Sequence, residues 1–194
     1  MVGVDTNVRR DASAADGARP PRIVVPAMAV VALIGPSGSG KSTFARRHFA
    51  AAEIFSSDAF RASLTGREAD QGISVEAFAA LYAAAATRLA GGATVVIDAT
   101  NLALDARGQA LDLAWSAACP AIAVAFDLPV EVCLAWNEAR TGRQVAAGVV
   151  RRQHRFFQRS LPHLGRDGFD VVHLIQGIDE LSAVEVWHRW RPRA

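Results

Sequence analysis

Gly35-Pro36-Ser37-Gly38-Ser39-Gly40-Lys41-Ser42 decides the reading of this chain. It fills every position of the pattern G-x-x-x-x-G-K-[ST], whose glycines let backbone N–H groups turn inward around phosphate oxygens. Lys41 is the single lysine among 21 lysines and arginines. A compact ammonium on a flexible stem reaches β- and γ-phosphates in a way that a broad guanidinium fork does not. A chain that uses arginine everywhere else has therefore kept lysine at the one position where that difference matters.

The flanking sequence supplies the context the pattern needs. Residues 29–34 are apolar throughout, as a strand buried on both faces of a parallel sheet would be, and residues 43–52 read as a helix. Strand, loop and helix in that order place the phosphates at a helix N-terminus. Gly35, Ser37, Gly38, Ser39 and Gly40 would then cradle the phosphates, and Lys41 would neutralise the β- and γ-oxygens. The Ser42 hydroxyl would ligate Mg²⁺, and Thr43 would cap the helix or touch the α-phosphate. The cofactors implied are ATP and Mg²⁺.

Further along, residues 22–25, 53–56, 94–97, 121–126 and 171–175 read as strands. Residues 59–64, 74–90, 105–118, 130–139, 144–160 and 179–190 read as helices, with 65–72 a loop. Strands alternating with helices predict an α/β protein, a P-loop NTPase-type parallel sheet with helices on both faces and a helical lid. Residues 1–21 are polar and alanine-rich and read as a disordered tail. Residues 22–194 form one domain, with a lid at about 138–166.

Composition narrows the setting. The chain has 194 residues, is 51% hydrophobic and carries a net charge of only +2, so total charge says nothing about nucleic acid. Cys119 and Cys133 have neither metal-site spacing nor the density of a disulfide scaffold and read as small core residues in a reducing compartment. No segment is apolar for long enough to span a bilayer and the N-terminus has no signal layout, so a cytoplasmic protein without membrane contact is expected. His48, His163, His173 and His188 show no metal spacing. Trp115, Trp136, Trp187 and Trp190 fall on expected helices as core or lid packing.

Three groups of residues carry the remaining chemistry. Asp58, in Ser57-Asp58-Ala59-Phe60-Arg61, ends a strand where α/β proteins bind ligands. It reads either as a general base for an attacking hydroxyl, with Arg61 one turn on as an anion clamp, or as the N-cap of the next helix. Asp98 ends the apolar strand before Ala99-Thr100-Asn101. It reads as a carboxylate organising Mg²⁺ water or the acceptor hydroxyl, or else as a turn residue, whereas Asp127 reads as a helix-entry residue before Pro129. Between Glu138 and Asp167 there is no acidic residue, yet Arg140, Arg143, Arg151, Arg152, Arg155, Arg159 and Arg166 all fall there. Arg140 and Arg143 read as lid arginines for the transferring phosphoryl group. Arg151, Arg155 and Arg159, every fourth residue, form a stripe that suits a lid, a nucleic-acid backbone or a solvated face equally.

Taken together, these motifs resemble the kinase module of bacterial polynucleotide kinases, found in multi-domain RNA-repair enzymes and related to phage polynucleotide kinase. The resemblance runs from about Arg22 to the C-terminus. It rests on Ile23-Val24-Val25-Pro26, Gly38-Ser39-Gly40-Lys41-Ser42-Thr43-Phe44, Ser56-Ser57-Asp58 with Arg61, Ile97-Asp98-Ala99-Thr100-Asn101, and Asn137-x-x-Arg140-Thr141-x-Arg143-Gln144-Val145. It implies transfer of the γ-phosphoryl of ATP to a 5′-hydroxyl end of DNA or RNA. Asp58 would be the base on that hydroxyl, Arg61 would hold the phosphate next to the acceptor nucleoside, and Arg140 and Arg143 would contact the ATP phosphates. The family carries an arginine where this chain has Trp136. The phosphatase and ligase modules of the larger enzymes are not in the sequence, so action alone or with separate phosphatase or ligase partners is expected.

Two other readings share the phosphate loop. One is a kinase of a small hydroxylated molecule such as a nucleoside, sugar or antibiotic. The other is an ATP-dependent switch without an acceptor; a guanine-specific N-K-x-D element is impossible in a chain whose only lysine is Lys41.

Overall fold

The computed structural model describes residues 8–9, 20–65 and 74–189. Strand β1 (Val8–Arg9) is followed by β2 (Arg22–Val25), β3 (Val30–Ile34), helix α1 (Lys41–His48), β4 (Ile54–Ser56), α2 (Ser57–Thr65) and α3 (Ser74–Ala90). Then come β5 (Val95–Asp98), α4 (Leu104–Ser116), β6 (Ala121–Asp127), α5 (Val130–Glu138), α6 (Ala147–Ser160), β7 (Val171–Gln176), α7 (Ile178–Ala183) and β8 (Glu185–His188). The main sheet runs β1-β7-β6-β3-β5-β4, with every pairing parallel.

β3 lies at the centre, all five residues buried, which is why its sequence shows no polar alternation. Its side chains divide between two cores. Val30, Ala32 and Ile34 face the layer that holds Leu81, Ala85 and Leu89 of α3 and Ala110 and Ala114 of α4. Val31 and Leu33 face Phe44 and Ala45 of α1 and Cys133 of α5. Phe44 meets Phe126 of β6 edge to face at 5.3 Å, fixing α1 over the sheet. α6 reaches both layers, Val150 joining one and Phe157 the other, so it closes the end of the molecule where the phosphate loop emerges. The expected architecture, a parallel α/β sheet covered on both faces, is the one observed.

Several boundaries differ from the sequence reading, each for a local reason. α1 starts at Lys41 rather than 43, because Gly40 is its N-cap in the left-handed region (φ 85°) and the helix begins at once. α6 begins at Ala147 rather than 144, because Gln144 and Val145 are engaged with α5: Gln144 donates to the carbonyls of Glu138 and Arg140, and Val145 is bound by Asn137. The helix expected over 179–190 is wrong. α7 ends at Ala183 and the β-prone Glu185-Val186-Trp187-His188 forms β8, which pairs in parallel with β2 as a separate two-stranded sheet. Ile23 and Val25 of β2 are buried beneath it. Within the expected tail, Val8–Arg9 pairs with Val172–His173 at the edge of the main sheet. Most of the loop expected at 65–72, and Trp190, lie outside the described residues.

Tryptophan placement also departs from expectation. Trp115 is 86% exposed and Trp187 lies on β8 under the Arg22 guanidinium, so neither packs in a core. Cys133 is buried as expected and burial pushes its thiol up to about 11, whereas Cys119 is half-buried. Among the described residues no helix is long and apolar enough to cross a membrane.

Candidate active site

The phosphate loop leaves β3 and returns into α1 at the carboxyl edge of the sheet, anchored at each end. The Gly35 N–H donates to the Thr100 carbonyl at 3.0 Å, and the Ser37 N–H donates to Oε1 of Gln153 on α6 at 2.9 Å. Gly38 has φ 79°, and a Cβ there would lie 2.0 Å from the Cys133 carbonyl oxygen of α5. Only glycine fits this close approach. Gly38→Ala must displace the loop or α5. We expect it to cost about 1–3 kcal/mol of stability and to weaken nucleotide binding at least tenfold, measured by thermal melting and ADP titration.

Lys41 is buried, and its Nζ donates to the Gly35 carbonyl at 2.9 Å, the Pro36 carbonyl at 2.7 Å and Ser39 Oγ at 3.3 Å. Desolvation outweighs these bonds and the nearby Asp98 charge, and brings its pKa down to about 8. The ammonium is the form that attracts phosphate. ADP affinity of the metal-free protein should therefore hold below pH 8 and fall by up to roughly tenfold per pH unit above it. A calorimetric titration from pH 7 to 10 checks this; Lys41→Met should flatten the profile.

Asp98, at the end of β5, is buried. Burial raises its pKa, while a hydrogen bond from the Ser42 side chain and the Lys41 charge oppose the rise. Ser42 and Asp98 thus meet beside the loop. No cluster of three or more His, Cys, Asp or Glu suited to a metal occurs among the described residues. Mg²⁺ usually takes one or two protein oxygens and completes its octahedron with phosphate and water, so the Ser42–Asp98 pair fits it.

Asp58 sits in the first turn of α2 and, among the described residues, binds no backbone N–H; Ser56 Oγ takes the Ala59 N–H instead, at 3.5 Å. The Asp58 carboxylate is the meeting point of three arginines. Arg61 of α2 binds Oδ1, Arg143 binds the same oxygen at 2.8 Å, and Arg140 lies 3.8 Å from Oδ2. Arg61 is buried, and the other two come from the segment joining α5 to α6. The loop, Asp58, Asp98 and these arginines line one cleft of about 450 Å³, together with Trp136 and Gln153. Every residue proposed from sequence for catalysis or metal binding lies on this cleft. Of the loop positions Gly35 and Pro36 are not on its wall, and Thr43 is on it, exposed.

The sequence reading assigned no role to several residues that hold the site together. Asn101 (φ 47°) is buried and donates to the Leu33 carbonyl at 2.8 Å, stitching the ends of β3 and β5. Arg107, paired with Asp167 at 2.6 Å, donates to the Asn101 and Leu102 carbonyls and fixes the loop after Asp98. Asn137 clasps Val145 in both directions, donating to its carbonyl at 2.7 Å and accepting its N–H at 3.0 Å, which ties the segment joining α5 and α6 back to α5. Arg151, Arg152, Arg155 and Arg159 are exposed and lie off the cleft.

A family model described as an AAA domain matches residues 30–161. Among curated proteins, none matches the sequence. Solved structures share the fold at low identity. A candidate kinase from Chloroflexus aurantiacus is 18% identical with a TM-score of 0.53, covering 77% of this chain and 88% of its own. A chain of the Pnkp1/Rnl/Hen1 RNA repair complex is 22% identical with a TM-score of 0.61, over 79% of this chain and 49% of that one. A chain of the AvrRxo1-ORF1:AvrRxo1-ORF2 complex is 19% identical with a TM-score of 0.50, over 77% of this chain and 50% of that one. The protein thus spans about half the length of the repair-complex chain it matches. Because the family match takes in the phosphate loop, Asp58, Asp98, Arg140 and Arg143 and covers more than half of the sequence, the chain belongs to the AAA domain family, on a P-loop kinase-type fold.

Proposed function

We propose that the protein transfers the γ-phosphoryl of ATP to the 5′-hydroxyl of a DNA or RNA end. The observation that carries this reading is the Asp58 carboxylate, held by Arg61, Arg140 and Arg143 in the same cleft as the phosphate loop. A switch needs the loop and Mg²⁺ ligands; a base ringed by anion-binding guanidiniums is what a kinase with an anionic acceptor needs. The order Pnkp1-like fold, loop, Asp58 and Arg61 favours a nucleic-acid end over a neutral metabolite.

In the reaction, the acceptor oxygen bonds to the γ-phosphorus, the bond to the β,γ-bridging oxygen breaks, and the acceptor proton passes to Asp58 as ADP leaves. Arg140 and Arg143, which hold Asp58 in the cleft, would take the developing phosphoryl charge, and their shift towards it would bare the carboxylate. Ser42 and Asp98 would hold Mg²⁺, which when bound neutralises charge on the phosphates. Lys41 holds the β- and γ-oxygens, and Arg61 holds the acceptor's own phosphate. The product, a 5′-phosphate end, is a substrate for end joining, which would fall to separate partner proteins.

The reading is tested on the acceptor side. With γ-labelled ATP, a nucleoside 3′-phosphate should accept label at least tenfold better than the free nucleoside, and Arg61→Ala should erase the difference. Efficient labelling of the free nucleoside or of a sugar, indifferent to Arg61, would assign the cleft to small hydroxylated molecules instead.

A further inference from the structure

We infer that the outer face of α6 is a track for the acceptor strand, with Arg151, Arg152, Arg155 and Arg159 on its phosphates and Phe156 beneath a base. The inference rests on the polynucleotide reading of the cleft. At about 100° per residue, these five side chains occupy one arc of roughly 140°, opposite the buried Val150 and Phe157. All five are exposed, Phe156 at 49%.

Three features set this arc apart from an ordinary solvated face. None of its arginines makes an ion pair or side-chain hydrogen bond among the described residues, whereas the lid arginines and Arg107 are paired. No acidic residue occurs between Glu138 and Asp167, and Asp127, which reaches α6 from the end of β6, binds Gln158 rather than an arginine, so the i,i+4 arginines repel one another with no acidic partner on their own helix. A polyanion would relieve that repulsion. Third, a large aromatic side chain stands exposed among the guanidiniums, the combination that single-strand binders use, charge for the backbone and a ring for the bases.

Position joins the arc to the cleft. Gln153 accepts the Ser37 N–H of the phosphate loop at 2.9 Å, and Arg143, four residues before α6, holds Asp58 at 2.8 Å. Phe156 lies about 60° round the helix from Gln153, on the side of the arc nearer the cleft. From there Arg151, Arg155 and Arg159 advance about 6 Å at each step, a stride suited to successive phosphates of an extended strand.

Fluorescence anisotropy of labelled single-stranded 12-mers with 5′-hydroxyl ends, RNA and DNA, tests this on the full chain across a salt series. The expected result is that Arg152→Glu/Arg155→Glu/Arg159→Glu weakens 12-mer binding about 100-fold at low salt and lowers the slope of log K against log salt by about 2. Phe156→Ala should weaken binding about tenfold with the slope kept. In the transfer assay the wild-type preference for a 12-mer over a nucleoside 3′-phosphate should collapse in the triple variant through KM. Equal binding by folded wild type and triple variant, or equal binding of polyglutamate and 12-mer, would overturn the track. The two readings separate cleanly: 12-mer binding lost in the variant without any label transfer would keep the track and remove the kinase assignment. Label transfer with undiminished length preference in the variant would do the reverse.

Discussion

Replacing Asp58 with alanine is expected to lower phosphoryl transfer by about 10²–10⁴-fold while nucleotide affinity rises. The first effect follows from losing the group that takes the acceptor proton. The second follows from the arginines: Arg61, Arg140 and Arg143 all converge on this carboxylate, and without it three guanidiniums lose the negative charge that competes with a phosphate for them. Asp58→Asn should give the same loss of turnover with a smaller gain in affinity, because the amide still accepts a hydrogen bond. A helix-capping role predicts neither result; it would give a loss of stability with proportionate losses everywhere. Single-turnover transfer and ADP titration on each variant, with thermal melts alongside, separate the two.

Lys41→Ala is the second large effect, and its signature is the opposite. Lys41 is buried under the loop and bonded to two of its carbonyls and to Ser39. Removing it deletes the only lysine and also frees those oxygens, which then face the phosphates as acceptors. Both changes oppose anion binding. Nucleotide affinity should fall with turnover, each by at least 10²-fold, on the scale seen when one preorganised donor to a developing charge is lost. Stability need not fall in step, since burial already disfavours the charged lysine. Lys41→Arg should rescue little, because the planar fork does not fit the space between the Gly35 and Pro36 carbonyls and Ser39.

The contrast between these variants reflects which parts of the site could be read from sequence. The loop is a local pattern, and the neighbourhood of Asp58 and Arg61 follows from their i,i+3 spacing on one helix. Both could be placed before any fold was known. The bonds from Arg143 to Asp58, 85 residues apart, and from Ser37 to Gln153, 116 residues apart, depend on how α6 crosses the end of the sheet. No periodicity encodes that. Asn101 and Asn137 appear in sequence only as polar residues near strand and helix ends, and their roles emerge once the carbonyls they bind are positioned.

The same division holds for the fold. β3 announced itself because burial on both faces leaves five consecutive apolar residues, and 74–90 was read to its observed ends because Gly91-Gly92 stops it. The last element was misread because a short helix and a short strand share the stretch after Gly177. The strand exists only through pairing with β2, more than 150 residues earlier in the chain. Local propensity in Val186 and Trp187 was a signal for it, outweighed by the helical pattern of the preceding turn.

The central claim is tested most directly by incubating the protein with γ-labelled ATP and Mg²⁺ and 5′-hydroxyl DNA and RNA oligonucleotides, then locating the label. The account predicts label on the 5′-terminal phosphate, absent from oligonucleotides already 5′-phosphorylated and lost in Lys41→Ala and Asp58→Ala. An oligonucleotide that stays unlabelled while the protein binds ATP would contradict it.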